Sequence, residues 1–206
     1  MKSAEDTIFP VIGLTGGTGA GKTIAAAVLA DLGCARIDAD AVGHELLGRE
    51  EVKYQVRKVW GDRHIRDNGE VDRTSLAGEV FSNFSSRSKL ESILHPRMRE
   101  EISGEIEKAR RAGLAAAVID AAVLFEAGWD DLCTHTVFLE STYEERLHRL
   151  KCERGWDEKE LARRESCQIP LDKKKERCSH VIVNHSDVSH LSELVGELLN
   201  QILNTE

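Results

Sequence analysis

The sequence predicts an α/β fold in which a parallel sheet is flanked by helices. Apolar segments of strand length alternate with helical segments along the chain, and this order is typical of parallel sheets. The first such segment, residues 8–14, is apolar and runs into a glycine-rich stretch, which a helical pattern follows. A strand, a glycine turn and a helix in this order open a βαβ unit.

The other elements are predicted from the same periodicities. A helix over 23–32 carries apolar residues at helical spacing and stops before Gly33, a residue type that commonly follows a helix end. A helix is expected to begin at Pro96, because proline is favoured in the first helical turn. Further strands are predicted at 35–37, 114–119, 136–139 and 180–183, and further helices at 51–60, 96–111 and 188–202.

The spacing of these elements predicts how the single domain is organised. Roughly 75 residues separate the second strand from the third, which exceeds a simple crossover and indicates a helical insertion at about 41–113. The core then comprises about 8–40, 114–149 and 179–206. The segment at about 150–178 is rich in Lys and Arg. It forms either a solvated helix pair or a mobile basic lid over phosphates.

The composition excludes several classes of protein. With 206 residues, 41% apolar and 31% charged, the chain is typical of soluble proteins and not of disordered, collagen-like or membrane-spanning ones. A net charge of −8 argues against nucleic-acid binding, which needs a basic surface. The five cysteines form no CxxC pair, and the N-terminus does not read as a secretory signal. We therefore expect a reduced, cytoplasmic protein without structural zinc.

Residues 16–23, GGTGAGKT, match the phosphate-binding pattern GxxxxGK[ST]. Glycines allow the backbone to direct successive N–H groups at phosphate oxygens, at the positive end of the next helix. Lys22 is expected on the β- and γ-phosphates and the Thr23 hydroxyl on Mg²⁺, so the pattern predicts a P-loop NTPase fold that binds MgATP. A glycine-rich turn without a ligand is the alternative. The predicted ATP-binding residues here are Gly17, Thr18, Gly19, Ala20, Gly21, Lys22 and Thr23.

Acidic residues end two of the predicted strands. Asp120 ends the third strand, where it is expected to bind the metal; a cap on the next turn is the alternative. Asp38 and Asp40 follow the second strand, at the carboxyl edge of the sheet where ligands of such folds bind. Carboxylates repel phosphates, and one of them acting as acceptor of a substrate hydroxyl proton would explain their presence. A role in a turn or cap is again the alternative.

Together with further motifs, these residues resemble the dephospho-coenzyme A kinase family over nearly the whole chain. The run 119–129 looks especially like the kinase domain of animal bifunctional coenzyme A synthase. Three positions depart from the family pattern: Ala122 replaces a proline common in bacterial members, the lid's Arg-Asp pair is shifted in 153–155, and Val183 replaces an Asp. The motifs that carry the resemblance are 12–23, 37–40, Asp72-Arg73 with Leu76 and Val80-Phe81, 94–96, 124–126, Gln168 with Pro170-Leu171, and 181–184.

The resemblance implies transfer of the ATP γ-phosphate to the ribose 3′-hydroxyl of dephospho-CoA, the last step of coenzyme A biosynthesis. It implies that the insertion takes the substrate, that Asp40 is the general base and that Asp38 shapes the site. Asn184 would frame the adenine. The substrate side would comprise Arg73, His95, Leu124, Phe125 and Glu126. For three of these a structural role is the alternative: a cap for His95, and core packing for Leu124 and Phe125.

The resemblance also places arginines in the lid, where they neutralise charge as the phosphoryl group moves. The candidates are Arg149, Arg154, Arg163 and Arg164, of which Arg149 and Arg154 are the predicted catalytic residues. Two rival functions fit the phosphate pattern alone: a kinase of another small molecule, such as a nucleoside monophosphate, and a regulatory NTP switch. The guanine-reading NKxD of GTPase switches does not occur in the sequence. Only the resemblance selects dephospho-CoA.

Overall fold

The computed structural model of the protein describes residues 8–185 and 187–205 and contains one parallel sheet. Its strands stand in the order β2-β3-β1-β4-β5, and every neighbouring pair is parallel. The α/β fold predicted from the sequence is therefore confirmed. The strands are β1 Val11–Gly16, β2 Ala35–Asp38, β3 Ala117–Asp120, β4 His135–Glu140 and β5 His180–Val183.

Helices connect the strands, as a parallel sheet requires. Two short 3₁₀ helices, Gly61–His64 and Trp129–Leu132, stand among them. Across the described residues, no helix is both long and apolar enough to cross a membrane. The α-helices are α1 Lys22–Asp31, α2 Ala39–Leu46, α3 Glu50–Trp60, α4 Arg73–Ser82, α5 Phe84–Arg111, α6 Tyr143–Arg154, α7 Glu158–Glu165, α8 Leu171–Arg177 and α9 Val188–Thr205.

The chain folds into two compact units. The first contains the described residues up to Asp38 together with those from Gly104 onward, and it holds the sheet. The second, Ala39–Ser103, is helical. In the first unit, α1 and α9 pack against each other and contribute Leu29 and Leu199 to a core with the apolar residues of β1, β3 and β4. This core fixes the carboxyl edge of the sheet, where β1 leads into the glycine-rich loop.

The start of α5 differs from the prediction. The helix begins at Phe84, twelve residues before Pro96, which lies inside it. The start signal is Asn83, whose side-chain oxygen accepts a hydrogen bond from the Ser86 N–H at 3.2 Å, an interaction that caps a first helical turn. The capping role considered for His95 is therefore wrong, because His95 lies in the helix interior.

Candidate active site

The loop between β1 and α1 has the backbone of an anion site. Its last glycine, Gly21, has φ of +98°, and a Cβ there would lie 2.6 Å from Nδ2 of Asn184. Both the backbone angle and the close neighbour therefore require glycine. The first turn of α1 carries no acidic residue. The positive end of the helix dipole is consequently available to an anion.

Five consecutive carbonyl oxygens of this loop accept hydrogen bonds from side chains. Lys22 Nζ donates to the carbonyls of Gly16 and Gly17, at 2.9 and 3.0 Å. The next three carbonyls each accept one side-chain donor. Arg146 Nη1 donates to the Thr18 carbonyl at 3.2 Å, Arg149 Nη1 to the Gly19 carbonyl at 3.1 Å, and Asn184 Nδ2 to the Ala20 carbonyl at 2.8 Å. Because C=O and N–H of a trans peptide point in opposite directions, holding the carbonyls orients the N–H groups of the loop. These N–H groups are the donors that a phosphate would need.

Arg149 and Asn184 also hold each other. Arg149 donates from Nη2 to the Asn184 carbonyl at 3.0 Å and from Nη1 to Ser141 Oγ at 3.0 Å. Ser141 in turn donates to the Asn184 carbonyl at 2.7 Å. The family resemblance implies that Arg149 contacts the moving phosphate and that Asn184 frames the adenine. In the structure both side chains contact carbonyls of the loop, and the assigned roles stay predictions.

Arg146 is a site residue that the sequence analysis missed. Its side chain is only 5% exposed, forms an ion pair with Glu165 of α7, and packs on Gly17, where a Cβ would lie 2.7 Å from Arg146 Nη1. The buried Nε has no hydrogen-bond partner among the described residues. A signal was present, since Arg146 lies three residues before Arg149 on the same helix and such residues share a face.

The other three candidate arginines of the predicted lid, Arg154, Arg163 and Arg164, lie around Trp156 and Glu160. Arg163 and Arg164 both bond to Glu160, with nitrogen–oxygen distances of 2.7–2.9 Å, and lower the pKa of its carboxyl to about 2. Arg154 and Arg164 lie over the Trp156 ring, with Cζ at 5.1 and 4.1 Å from its centroid. Within the part of the chain that the structure describes, Arg154 has no carboxylate partner.

The predicted acids Asp38 and Asp120 lie side by side at the carboxyl edge of the sheet. They are register partners on the adjacent strands β2 and β3. Arg36, which the sequence analysis did not single out, donates from Nη2 to Asp120 Oδ2 at 3.1 Å and contacts Asp38 Oδ2 at 3.5 Å. Burial raises the pKa of Asp120, while the charges of Lys22 and Arg36 oppose this effect. The charges of Lys22, Arg36, Asp38 and Asp120 therefore act on one another.

The oxygen donors near the loop are suited to a hard cation. Thr23 is exposed at the second residue of α1, and Asp120 lies at the end of β3, the strand beside β1. Among the described residues no group of three or more His, Cys, Asp or Glu could hold a metal ion. The Thr23 hydroxyl and the Asp120 carboxylate match the needs of Mg²⁺, because this ion usually takes one or two protein ligands and completes its shell with phosphate oxygens and water.

Comparison with known proteins decides between the kinases that share this loop. A family model described as dephospho-CoA kinase matches residues 10–190. The dephospho-CoA kinase of Symbiobacterium thermophilum is 35% identical over 179 residues, which are 86% of this chain and 75% of that protein. The chain belongs to the dephospho-CoA kinase family. The resemblance stated from the sequence and the assignment to a phosphotransferase family are both confirmed.

Two further similar proteins cover almost the full chain. The dephospho-CoA kinase of Carboxydothermus hydrogenoformans is 32% identical over 195 residues, 94% of this chain and 95% of that protein. A crystal structure from Thermus thermophilus superposes with a TM-score of 0.79 at 27% identity, covering 95% of this chain and 98% of that one. The similarity therefore includes the sheet, the loop and the segment that carries the predicted lid.

Residues 124–126, which are predicted to lie on the substrate side, contact α8 through the ring of Phe125 and the carboxylate of Glu126. Leu124 and Phe125 are buried, and Arg177 lies over the Phe125 ring at 4.1 Å. Glu126 Oε1 accepts the Ile169 N–H at 2.8 Å and pairs with Lys174 at 2.8 Å. Its Oε2 is buried and has no partner among the described residues.

Lys174 is a third residue that the sequence analysis missed, after Arg146 and Arg36. Its side chain is completely buried, yet its ammonium reaches the Ala122 carbonyl at 2.7 Å, Gln168 Oε1 at 2.9 Å and Glu126 Oε1 at 2.8 Å. These contacts use all three donors that a lysine has. Lys174 therefore connects the 122–126 segment to α8.

The remaining predicted residues belong to the helical unit, Ala39–Ser103. Asp40 is exposed in the first turn of α2, two residues after Asp38. Arg73 begins α4 and donates to the His44 carbonyl at the end of α2, at 2.9 Å. His95 is half-buried within α5. Arg73 thus links two helices of this unit.

Proposed function

We propose that the protein transfers the γ-phosphate of ATP to the ribose 3′-hydroxyl of dephospho-CoA, giving CoA and ADP. The observation that carries the proposal is the loop 16–23, whose five carbonyls are held by side chains, in a chain of the dephospho-CoA kinase family. The loop recognises the phosphates, and family membership selects the acceptor. Fold alone would not do so, since one fold serves many acceptors.

The loop binds the β- and γ-phosphates through its backbone N–H groups. Lys22 donates to the Gly16 and Gly17 carbonyls at 2.9 and 3.0 Å, and its ammonium carries the full charge expected to contact the nucleotide. Arg146, Arg149 and Asn184 hold the loop in this shape before ATP arrives. A preorganised cradle needs no rearrangement during the reaction, which is the main source of electrostatic catalysis.

Asp40 is the proposed general base. Its carboxylate accepts the proton of the 3′-hydroxyl as that oxygen attacks the γ-phosphorus, and the bond from the γ-phosphorus to the β,γ-bridging oxygen breaks to release ADP. Its exposure in the first turn of α2 and its position two residues after Asp38 support this role. A positioned base of this kind contributes about 10²–10⁴-fold to rate.

Thr23 and Asp120 are the residues proposed to hold Mg²⁺, together with the phosphates of ATP. The hydroxyl and carboxylate oxygens fit the preference of this ion for oxygen ligands. When bound, the ion would neutralise charge on the β- and γ-phosphates.

The substrate side is proposed to comprise the 124–126 motif with Arg73 and His95, and the helical segment at about 41–113 to receive the acceptor. Glu126 Oε2 is the oxygen that remains for the substrate, because Oε1 is taken by Lys174 and Ile169. The segment at about 150–178 is proposed as the lid. Within it, Arg154 is the proposed catalytic arginine, because it has no carboxylate partner among the described residues that it would have to leave when the lid closes.

The five cysteines are free thiols, which supports a reducing compartment such as the cytoplasm.

A coupled ADP-release assay with MgATP tests the proposal. Dephospho-CoA, AMP, CMP and adenosine are compared with a blank that lacks an acceptor, and CoA is identified as product by mass spectrometry. We expect strong stimulation by dephospho-CoA alone. Lys22→Ala is the control for a contaminating kinase and should abolish the signal. Stimulation by a nucleotide instead would keep the phosphate site but remove the acceptor assignment.

A further inference from the structure

Arg36 has an unusual place in the sheet. It lies on β2 two residues before Asp38, so that both side chains stand on the same face of the strand. Register pairs Asp38 with Asp120 on β3. One nitrogen of Arg36, Nη2, reaches both carboxylates, at 3.1 Å from Asp120 Oδ2 and 3.5 Å from Asp38 Oδ2.

Asp120 needs a cation at this position. Its side chain is only 10% exposed, and a carboxylate withdrawn from water is costly unless it is paired. Lys22 acts on Asp120 through its charge, but its ammonium donates to the Gly16 and Gly17 carbonyls. Arg36 supplies the direct hydrogen bond that the carboxylate requires.

We propose that Arg36 is a positioning residue that takes the place of the divalent cation in the nucleotide-free protein, and that MgATP displaces it from Asp120. This inference rests on the proposed function, which assigns Asp120 to Mg²⁺. A guanidinium and a metal ion are both cations that the Asp120 carboxylate attracts, and the charge of Arg36 beside Oδ2 weakens the attraction of this carboxylate for a metal ion. The arginine side chain can rotate away without any change in the strand, because 29% of it is exposed to solvent.

Two consequences follow for metal binding. While Arg36 holds Asp120 and Asp38, its positive charge offsets part of the negative charge of the two carboxylates, and a metal ion without nucleotide should bind weakly. MgATP brings the phosphate oxygens as additional ligands and can displace the guanidinium. The metal therefore enters with the nucleotide rather than before it.

Binding of Mn²⁺ to the nucleotide-free protein tests this, with the loss of the free-ion electron paramagnetic resonance signal as the readout. Arg36→Met keeps the length of the side chain and removes the charge. We expect Arg36→Met to bind Mn²⁺ about tenfold more tightly than the parent protein, a size typical for changes beside a metal ligand. The double variant Arg36→Met/Asp120→Asn should lose this gain.

Equal Mn²⁺ affinity of the parent and Arg36→Met would overturn the inference, including the case in which Arg36→Met only lowers the melting temperature. Weaker MgATP binding without a gain for Mn²⁺ would also overturn it, since Arg36 would then contact the nucleotide. Should Arg36→Met not fold, Arg36→Lys replaces it, because a single ammonium holds two carboxylates less well than a guanidinium, and a smaller gain of the same sign is expected. The assay contains no acceptor, so its result is independent of whether dephospho-CoA is the substrate.

Discussion

Arg146 of α6 and Glu165 of α7 form an ion pair that lies directly on the phosphate loop. Arg146 also donates to the Thr18 carbonyl at 3.2 Å and packs on Gly17. The pair therefore joins the loop to α7, a helix of the proposed lid. Because Arg146 is buried and Glu165 is not, replacing one or the other should lower the free energy of unfolding by different amounts.

Arg146→Met should lower the free energy of unfolding by about 3 kcal/mol, since removing one partner of a buried pair costs roughly that amount. The affinity for ATP should fall as well, because the Thr18 carbonyl loses the donor that orients its peptide. Urea denaturation and a direct ATP titration measure the two effects.

Arg110→Met is the matched control for this change. Arg110 forms an exposed pair with Glu107, and exposed pairs contribute less than about 1 kcal/mol. The double variant Arg146→Met/Glu165→Gln should recover part of the lost stability, because no unpaired charge remains. Equal stability of Arg146→Met and Arg110→Met would contradict the role of the pair.

Substitution of Asn184 tests the contact at the end of the same loop that leads into α1, where the Asn184 side chain holds the Ala20 carbonyl. Asn184→Ala removes the 2.8 Å hydrogen bond to the Ala20 carbonyl from a side chain that is 4% exposed, and it should cost about 1–3 kcal/mol. Asn184→Asp should weaken ATP binding further than Asn184→Ala, because a carboxylate oxygen would face the carbonyl oxygen. Isothermal titration with ATP gives the affinities, and exposed Asn200→Ala serves as control. An affinity for Asn184→Asp equal to that of the parent would exclude this contact as a determinant of loop shape.

The sequence predicts the loop and its flanking elements well because their signals are local. β1, the glycine loop and α1 follow one another within about twenty residues, each with its own periodicity or fixed residue types. The start of α5 was missed for the opposite reason. Pro96 resembles a first-turn proline, whereas the true start depends on the Asn83 side chain, a weaker pattern.

The contacts that hold the site could not be predicted from local patterns. Arg36 and Asp120 are 84 residues apart, Lys174 and Ala122 are 52 apart, and Arg146 and Glu165 lie on different helices. In the sequence, each of these cations is one among many Lys and Arg residues. Only the fold shows which of them are buried and which carbonyls or carboxylates they reach.

Lys174 should be far more important for stability than its neighbour Lys173. Lys174→Met leaves Glu126 without its cation and should cost about 3–5 kcal/mol, as expected for a broken buried pair. Lys173 is 58% exposed, so Lys173→Met should change stability by no more than about 0.5 kcal/mol. Thermal and urea unfolding of both variants test the difference. A similar small loss in both would show that the buried ammonium does not stabilise the 122–126 segment.

The cysteines should react in an order set by burial. Burial, with the nearby Asp130 and Asp131, raises the pKa of Cys133 to about 12, and burial raises the pKa of Cys178 to about 11. Folding thus favours the protonated thiols; this contribution to stability is complete below pH 9 and is lost as the pH rises through 11 to 12. At pH 8, iodoacetamide should modify exposed Cys152 well before these two, as peptide mass spectrometry would show. Rapid modification of Cys133 in the folded protein at pH 8 would contradict the raised pKa of this half-buried thiol.

Asp40→Asn separates the chemical step from nucleotide binding. The amide is nearly isosteric but cannot take up the proton of the acceptor hydroxyl, so kcat should fall by about 10²–10⁴-fold. ATP affinity should change little, because these hydrogen bonds to the carbonyls of the phosphate loop come from other side chains than Asp40. Steady-state kinetics with dephospho-CoA and an ATP titration measure the two quantities, and Asp31→Asn, an exposed position at the end of α1, is the control. An unchanged kcat would remove Asp40 as the base; a parallel loss of ATP affinity would instead indicate that the carboxylate shapes the nucleotide site.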